Sequence, residues 1–244
     1  MSSGVSCGIG LPTRERIVVT LLWQPHRGAL LWGPRSAILR GGDCFVDVET
    51  TPVTYDVIYC DPPWKFGGTI PAVTRHADGT ATYASRPLEE YHYSTMSVPE
   101  LEQFFSTTVK DMASPDSVLL MWVTDAHLAV GIRLGELAGF EYKTVGFRWL
   151  KKTTKGNQVC YMGRWTLKGS EECLLFSRGS AHSKLLKNRK VRQLVEAPRR
   201  EHSRKPDEVV EAIETMFPDA SKIELFARTT RDGWAVHGNE TGKF

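Results

Sequence analysis

A short apolar run that ends in two prolines constrains the fold of this chain more than any other stretch. In Asp56-Val57-Ile58-Tyr59-Cys60-Asp61-Pro62-Pro63-Trp64-Lys65-Phe66, Val57, Ile58 and Tyr59 are β-prone and read as a buried strand. Consecutive prolines lack the N–H that a β-ladder needs and hold the chain extended, so the strand must stop there. A carboxylate, two stiff carbonyl-bearing residues and a large aromatic therefore share one strand end. In open α/β sheets, ligands bind outside the carboxyl ends of strands.

That set of groups suits one kind of chemistry. An exocyclic aromatic amine, such as that of adenine, is a poor nucleophile because its lone pair is spread into the ring. Acceptors on its two hydrogens, here the Asp61 carboxylate and the Pro62 carbonyl, would localise the lone pair. They would also stabilise the positive charge that develops as the nitrogen is alkylated. Trp64 offers a face on which a base can stack. The plainer reading of the same residues is a strand closed by a rigid turn.

Downstream, the pattern alternates strand and helix. Residues 67–87 are polar, contain Gly67-Gly68 and Asp78-Gly79, and read as a long loop placed to act as a lid or substrate loop. Ser97-Val98-Pro99-Glu100 is a capping-box pattern with proline in the first turn. Leu101, Phe104, Phe105, Val109 and Met112 then follow at helical spacing. Ser117–Val123 is a buried strand with Trp122 in the core, Asp125 caps a second helix that stops near Gly139, and Tyr142–Leu150 is another strand. Glu171-Glu172 open a further strand running to Phe176. Pro206, Asp207 and Glu208 make a good first helical turn, with Val209, Val210, Ile213, Met216 and Phe217 as the buried stripe. Lys222–Arg228 is a strand with a charged exit. This order argues for α/β architecture, a mostly parallel sheet with helices on its faces.

Ahead of the central strand, residues 1–15 read as a tail, and Arg16–Trp23 and Ala29–Leu39 can each supply a short strand. The main domain is expected over residues 41–244. At 244 residues and 41% hydrophobic content the chain can bury one good core. Its apolar runs are far too short to span a bilayer, and no signal-peptide pattern opens it. Five scattered cysteines suggest reduced thiols, as in a cytoplasmic protein, or a nuclear one if the source is eukaryotic. Neither cysteines nor histidines show metal-ligand spacing, so no metal is expected. The absence of Gly-x-Gly-x-x-Gly disfavours a nicotinamide dinucleotide site.

Charge is unevenly distributed. The chain carries a net +3, yet residues 151–205 hold 15 Lys and Arg against 4 Asp and Glu. Such a block is commonly a solvated face, but in an otherwise acidic molecule it is also the footprint of a nucleic-acid partner. Lys187, Arg189 and Lys190 are its densest cluster and are the expected phosphate contacts.

Asp61-Pro62-Pro63-Trp64, together with motifs spread from Asp43 to Glu240, resembles the MT-A70-like adenine N6-methyltransferases, which use S-adenosylmethionine. The resemblance implies a Rossmann-like fold with permuted motif order and Asp61, Pro62, Pro63 and Trp64 as the catalytic set. It assigns Asp43 and Cys44 to the donor's adenine, Lys205 to its carboxylate, and Arg228, Asn239 and Glu240 to its ribose. Tyr93 and Glu171 would contact the acceptor base. The implied reaction is transfer to the 6-amino group of a flipped or unpaired adenine, with DNA marginally favoured over RNA. The same resemblance leaves room for a homo- or heterodimer, for a non-catalytic nucleic-acid-binding subunit, and for transfer to the cytosine 4-amino group.

Overall fold

The computed structural model describes residues 53–65, 69–75, 81–87, 95–163, 165–200 and 204–238. In chain order, β1 (Tyr55–Cys60) is followed by β2 (Thr69–Arg75), β3 (Ala81–Pro87), α1 (Val98–Phe104), α2 (Lys110–Met112) and β4 (Ala113–Val123). Then come α3 (Leu128–Leu137), β5 (Glu141–Lys152), β6 (Tyr161–Met162), β7 (Leu167–Lys168), β8 (Ser170–Arg178) and α4 (Ala181–Lys184). β9 (Leu194–Pro198), α5 (Asp207–Met216), β10 (Lys222–Leu225) and β11 (Trp234–His237) complete the described elements.

Seven strands form one sheet in the order β11-β10-β1-β4-β8-β5-β9. β1 lies parallel to both β10 and β4, β10 parallel to β11, and β5 parallel to β9. β8 runs antiparallel between β4 and β5. Its direction follows from the connection: residues 153–169 supply a hairpin and no crossover helix, so the chain can only turn back. The helices lie on both faces, as a Rossmann-like α/β fold requires. Along β4, Leu119, Met121 and Val123 point into the layer with Leu101, Phe105 and Leu134, whereas Val118, Leu120 and Trp122 meet Val209, Ile213 and Phe217 of the other layer. Period-two alternation thus gives β4 two apolar faces, which is why it reads as a continuous apolar run.

The capping box at Ser97 forms as its sequence predicts. The Ser97 backbone N–H donates to Glu100 Oε2 at 2.7 Å, and the Ser97 hydroxyl lies 2.6 Å from the same oxygen. α1 passes through a π-helical turn (Phe105–Val109) into α2, which keeps Leu101, Phe105 and Val109 all fully buried. Gly139, at φ +81°, ends the α3 segment as anticipated. A 3₁₀ turn at Asp125–His127 opens that segment, and its N-cap is Thr124, one residue before the expected Asp125.

One expectation needs correction. Residues 67–87 are not one loop, because β2 and β3 pair antiparallel from Thr69↔Pro87 to Arg75↔Ala81. In the sequence, Asp78-Gly79 following the β-branched run of β2 is a hairpin signal that outweighs the polar composition. The basic block 151–205 also holds α4 and the parallel edge strand β9, which pairs Arg148↔Leu194 through Lys152↔Pro198. The expected strands before residue 41 lie outside the described residues. Among the described residues no helix is long and apolar enough to cross a membrane.

Candidate active site

β1 delivers Asp61 to the carboxyl end of the sheet centre, between β10 and β4. Beyond it the Trp64 N–H donates back to the Pro62 carbonyl at 2.8 Å, and the Met96 N–H donates to the Pro63 carbonyl at 2.9 Å. The Asp-Pro-Pro-Trp segment is therefore pinned in a tight extended turn. A carbonyl has two lone pairs, so Pro62 retains one for a further donor.

Asp61, Pro62, Pro63 and Trp64 line a cavity of about 200 Å³ together with Trp122, Val123, Thr124, Glu171, Lys205 and Arg228. The residues come from β1, the end of β4, the start of β8, the segment before α5 and the exit of β10. Three-fifths of the chain separates Asp61 from Lys205, yet Lys205 Nζ donates to Asp61 Oδ2 at 2.6 Å. It also lies 3.3 Å from Glu171 Oε2 and 5.6 Å from the Trp122 ring centroid. Glu171 takes a second cation, Lys151 Nζ, at 2.5 Å.

The electrostatics follow from this cluster. Burial lifts the Asp61 carboxyl above its ordinary range, against the pull of Lys205. Burial pushes Glu171 upward too, but Lys205 and Lys151 outweigh it and the net direction is down. For Lys205, burial alone would favour the neutral amine; Asp61 and Glu171 reverse that, and its pKa is raised. The site therefore holds a firmly protonated ammonium between two carboxylates.

Trp64 is just 3% exposed. Its indole N–H donates to the Trp122 carbonyl at 3.2 Å, and its ring stacks on His127 with centroids 4.8 Å apart and planes 18° from parallel. One face of the tryptophan is thus covered by His127. His127 is itself held, with Nδ1 2.8 Å from the Thr124 hydroxyl and Nε2 3.3 Å from the Lys65 carbonyl. Trp122, expected in the core, does both jobs: it donates to the Tyr59 hydroxyl at 2.7 Å and still lines the cavity.

After β10 the chain bends through Phe226 at φ +60°. Gly238 lies against this bend, where a Cβ would meet the Ala227 oxygen at 2.4 Å and its nitrogen at 2.6 Å. Only glycine lets the exit of β11 approach so closely. Arg228 reaches the cavity from the same bend.

Of the residues singled out from the sequence, the structure brings together Asp61, Pro62, Pro63, Trp64, Glu171, Lys205 and Arg228. Asp43, Cys44, Tyr93, Asn239 and Glu240 lie outside the described residues. Lys187, Arg189 and Lys190 do not join the cluster. The neighbouring Lys184 pairs with Asp116, near the start of β4, and the Lys187 N–H donates to the Met216 carbonyl at the end of α5 at 2.9 Å. Both anchors are at the end of the sheet away from Asp61. A count of charge along the sequence could not reveal this, because it carries no information on which sheet end a segment reaches. Two site residues, His127 and Lys151, were missed. A lone histidine past a strand gives no signal, and Lys151 follows directly on the expected strand Tyr142–Leu150, where a lysine is an ordinary solvated residue.

The MT-A70 family model matches residues 55–240. The chain belongs to the MT-A70 family. It is therefore a methyltransferase, and the cluster around Asp61 sits within the family-matched region. The chain is 38% identical over 190 residues to the Type II methyltransferase M.MunI of Mycoplasma sp, covering 76% of this chain and 77% of that protein. It is 28% identical over 193 residues to the N(6)-adenosine-methyltransferase MT-A70-like protein of Arabidopsis thaliana, covering 77% of this chain but 24% of that one. It is 26% identical over 238 residues to the N(6)-adenine-specific methyltransferase METTL4 of Homo sapiens, 93% of this chain and 45% of the human protein. The chain thus spans most of M.MunI and a quarter to a half of these two eukaryotic proteins.

Proposed function

We propose that this chain transfers a methyl group from S-adenosylmethionine to the 6-amino group of adenine in nucleic acid, DNA in preference to RNA. The observation that carries the reading is the Asp61 carboxylate beside the Pro62 carbonyl in a buried cavity that also contains a fixed ammonium. The preference for DNA rests on the bacterial type II relative, whose identity exceeds that of the eukaryotic proteins.

The residues present fit the donor, a zwitterion with an added sulfonium charge. Lys205 suits its carboxylate, Asp61 suits its cationic groups, and Arg228, which reaches the cavity from the exit of β10, suits its ribose hydroxyls. Asp43, Cys44, Asn239 and Glu240 complete the proposed donor set, with Tyr93 and Glu171 on the acceptor side. The donor supplies an electrophilic methyl group.

The protein's part is to make a weak nucleophile attack. Asp61 and the free lone pair of Pro62 accept from the two amine hydrogens and hold the nitrogen pyramidal, with its lone pair directed away from the ring. Trp64, backed by His127, fixes the plane of the base. Lys205 keeps Asp61 ionised in a setting that otherwise favours the neutral acid. The methylated ammonium is acidic enough to lose its proton without a strong base. Two of the relatives are named catalytic subunits, and a partner chain for this protein belongs to the proposal.

The test is incubation of the full chain with unmodified DNA and, separately, RNA in the presence of methyl-labelled donor, followed by nucleoside analysis. N6-methyladenine in DNA is the expected product. N4-methylcytosine alone would overturn the acceptor assignment, and no labelled nucleoside from either polymer would overturn catalysis by the chain alone.

A further inference from the structure

Among the described residues, the β6–β7 hairpin carries the three large apolar side chains that stand out together into solvent. Trp165 is 92% exposed, Met162 89% and Leu167 63%. Singly exposed apolar residues are ordinary, but three large ones on one hairpin mark a contact surface. The hairpin is built to hold them out. At its tip the Gly163 N–H donates to the Thr166 carbonyl at 3.1 Å, and a Cβ on Gly163 would meet that carbonyl oxygen at 2.4 Å. At its root a Cβ on Gly169 would meet the Val159 oxygen at 2.2 Å. Glycine is thus required at both places, and the turn cannot relax around a larger residue.

Its base is tied to the cavity. The Lys151 N–H donates to the Gly169 carbonyl and the Val159 N–H to the Lys151 carbonyl, each at 2.9 Å, while the Lys151 ammonium holds Glu171 inside the site. On the other side Lys168 pairs at 3.0 Å with Asp125, the residue after cavity-lining Thr124. The hairpin therefore rises from the rim of the Asp61 cavity.

Charge identifies the occupant. Residues 151–169 carry five Lys and Arg and no Asp or Glu. Arg199 adds a cation on the Tyr161 ring, 5.3 Å from its centroid. An aromatic tip on a basic hairpin, at the rim of the Asp61 cavity, is complementary to a polyanion with stacking faces.

We propose that this hairpin is a nucleic-acid wedge, with Trp165 stacking on a base next to the adenine that enters the cavity, Met162 and Leu167 against the sugar, and Lys152, Lys155 and Arg199 on phosphates. The inference rests on the methyl-transfer reading and adds to it the surface that grips the substrate. Taking a base out of a duplex leaves a gap in the stack, and filling that gap lowers the cost of extrusion.

The experiment uses the full chain, Trp165→Ala and Trp165→Phe, with fluorescein-labelled mixed-sequence duplex and single-stranded oligonucleotides. Trp165→Ala is expected to weaken binding about tenfold or more, the usual size of a lost base–aromatic stack. Trp165→Phe keeps a stacking face and is expected to stay within about threefold of the parent. Donor affinity by calorimetry should be unchanged in both, which also shows that the variants fold. Equal oligonucleotide affinity for Trp165→Ala and the parent overturns the proposal. If Trp165→Ala instead converts a dimer to a monomer in sedimentation while oligonucleotide affinity holds, the hairpin serves a second copy, and the proposal is likewise overturned. A parent chain that binds oligonucleotides in a Trp165-dependent way but transfers no methyl removes the methyl-transfer reading and leaves the wedge standing.

Discussion

Asp61 faces a conflict between its place and its task. To accept from an amine it must be ionised, yet burial raises its pKa above the ordinary 3.8, with Lys205 opposing, Glu171 adding to the rise and Arg228 opposing again. The protonated acid is inactive as a double acceptor, so turnover at saturating substrate should fall as pH drops through a midpoint above 3.8. Lys205 sets no limb in the working range, because its folded pKa is raised beyond the ordinary 10.5. The stabilisation it contributes is complete below 10.5 and is lost only as pH rises through the folded value. Glu171 is shifted downward, so its contribution is present above 4.5 and is lost as pH falls through its folded value. Asp61→Asn keeps the shape but replaces an acceptor oxygen with a donor. Its kcat at neutral pH should fall by roughly a hundredfold or more, and the acid limb should vanish from the profile. A variant with near-parental kcat would remove Asp61 from the chemistry. The residues of this cluster were nameable from the sequence one at a time. That Lys205 contacts Asp61, or that His127 backs Trp64, was not legible, because each contact joins positions with no local spacing relation.

At the scale of elements, the strands and helices of the main sheet were readable where burial is two-sided or strictly periodic, as in β1, β4 and α5. The hairpins were not, since β2–β3 and β6–β7 lie outside the main sheet and carry no alternation set by its core. β9 was hidden by its charge: as an edge strand it buries Ala197 fully and leaves Leu194 half exposed, so no apolar run announces it. α3 shows what the sequence does encode about packing. Gly131 and Gly135, four apart on one helix face, let it settle directly on the sheet. A Cβ at 135 would meet the Phe176 ring of β8 at 2.3 Å, and one at 131 would meet Val123 Cγ1 at 2.5 Å. In an exposed helix Gly→Ala stabilises by about 0.5–1 kcal/mol. Here the overpacking of a fully buried phenylalanine should win, so Gly135→Ala should destabilise the fold by about 1–3 kcal/mol. Urea unfolding followed by circular dichroism measures it, and an unchanged or higher midpoint would mean that α3 can lift off the sheet without cost.

For the molecule as a whole, the charge asymmetry divides into two populations once the sheet gives it direction. Lys152, Lys155 and Arg199 lie at the carboxyl end of β5 and β9, on the side of Asp61; the Arg199 N–H donates to the Lys152 carbonyl at 3.0 Å. Lys187, Arg189 and Lys190 are exposed, and the first of them is tied to the other end through the Met216 carbonyl. Summed charge is identical for the two triplets, so a purely long-range field would make them equivalent apart from screening. Direct phosphate contact would not, because each neutralised contact releases counterions. The logarithmic dependence of affinity on salt has a slope of about −0.9 per contact on duplex DNA and about −0.7 on a single strand. Changing Lys152, Lys155 and Arg199 together to Ala should therefore flatten the duplex slope by about two to three units and raise the KM for nucleic acid. It should leave saturated turnover nearly intact, since a phosphate is gripped alike in ground and transition states. The matching change of Lys187, Arg189 and Lys190 should move slope and KM far less. Equal flattening by both triplets would mean that the bound polymer runs the full height of the sheet and past its far end. In that case the hairpin rim would be one end of a longer track, and the basic block of 151–205 would act as a single surface.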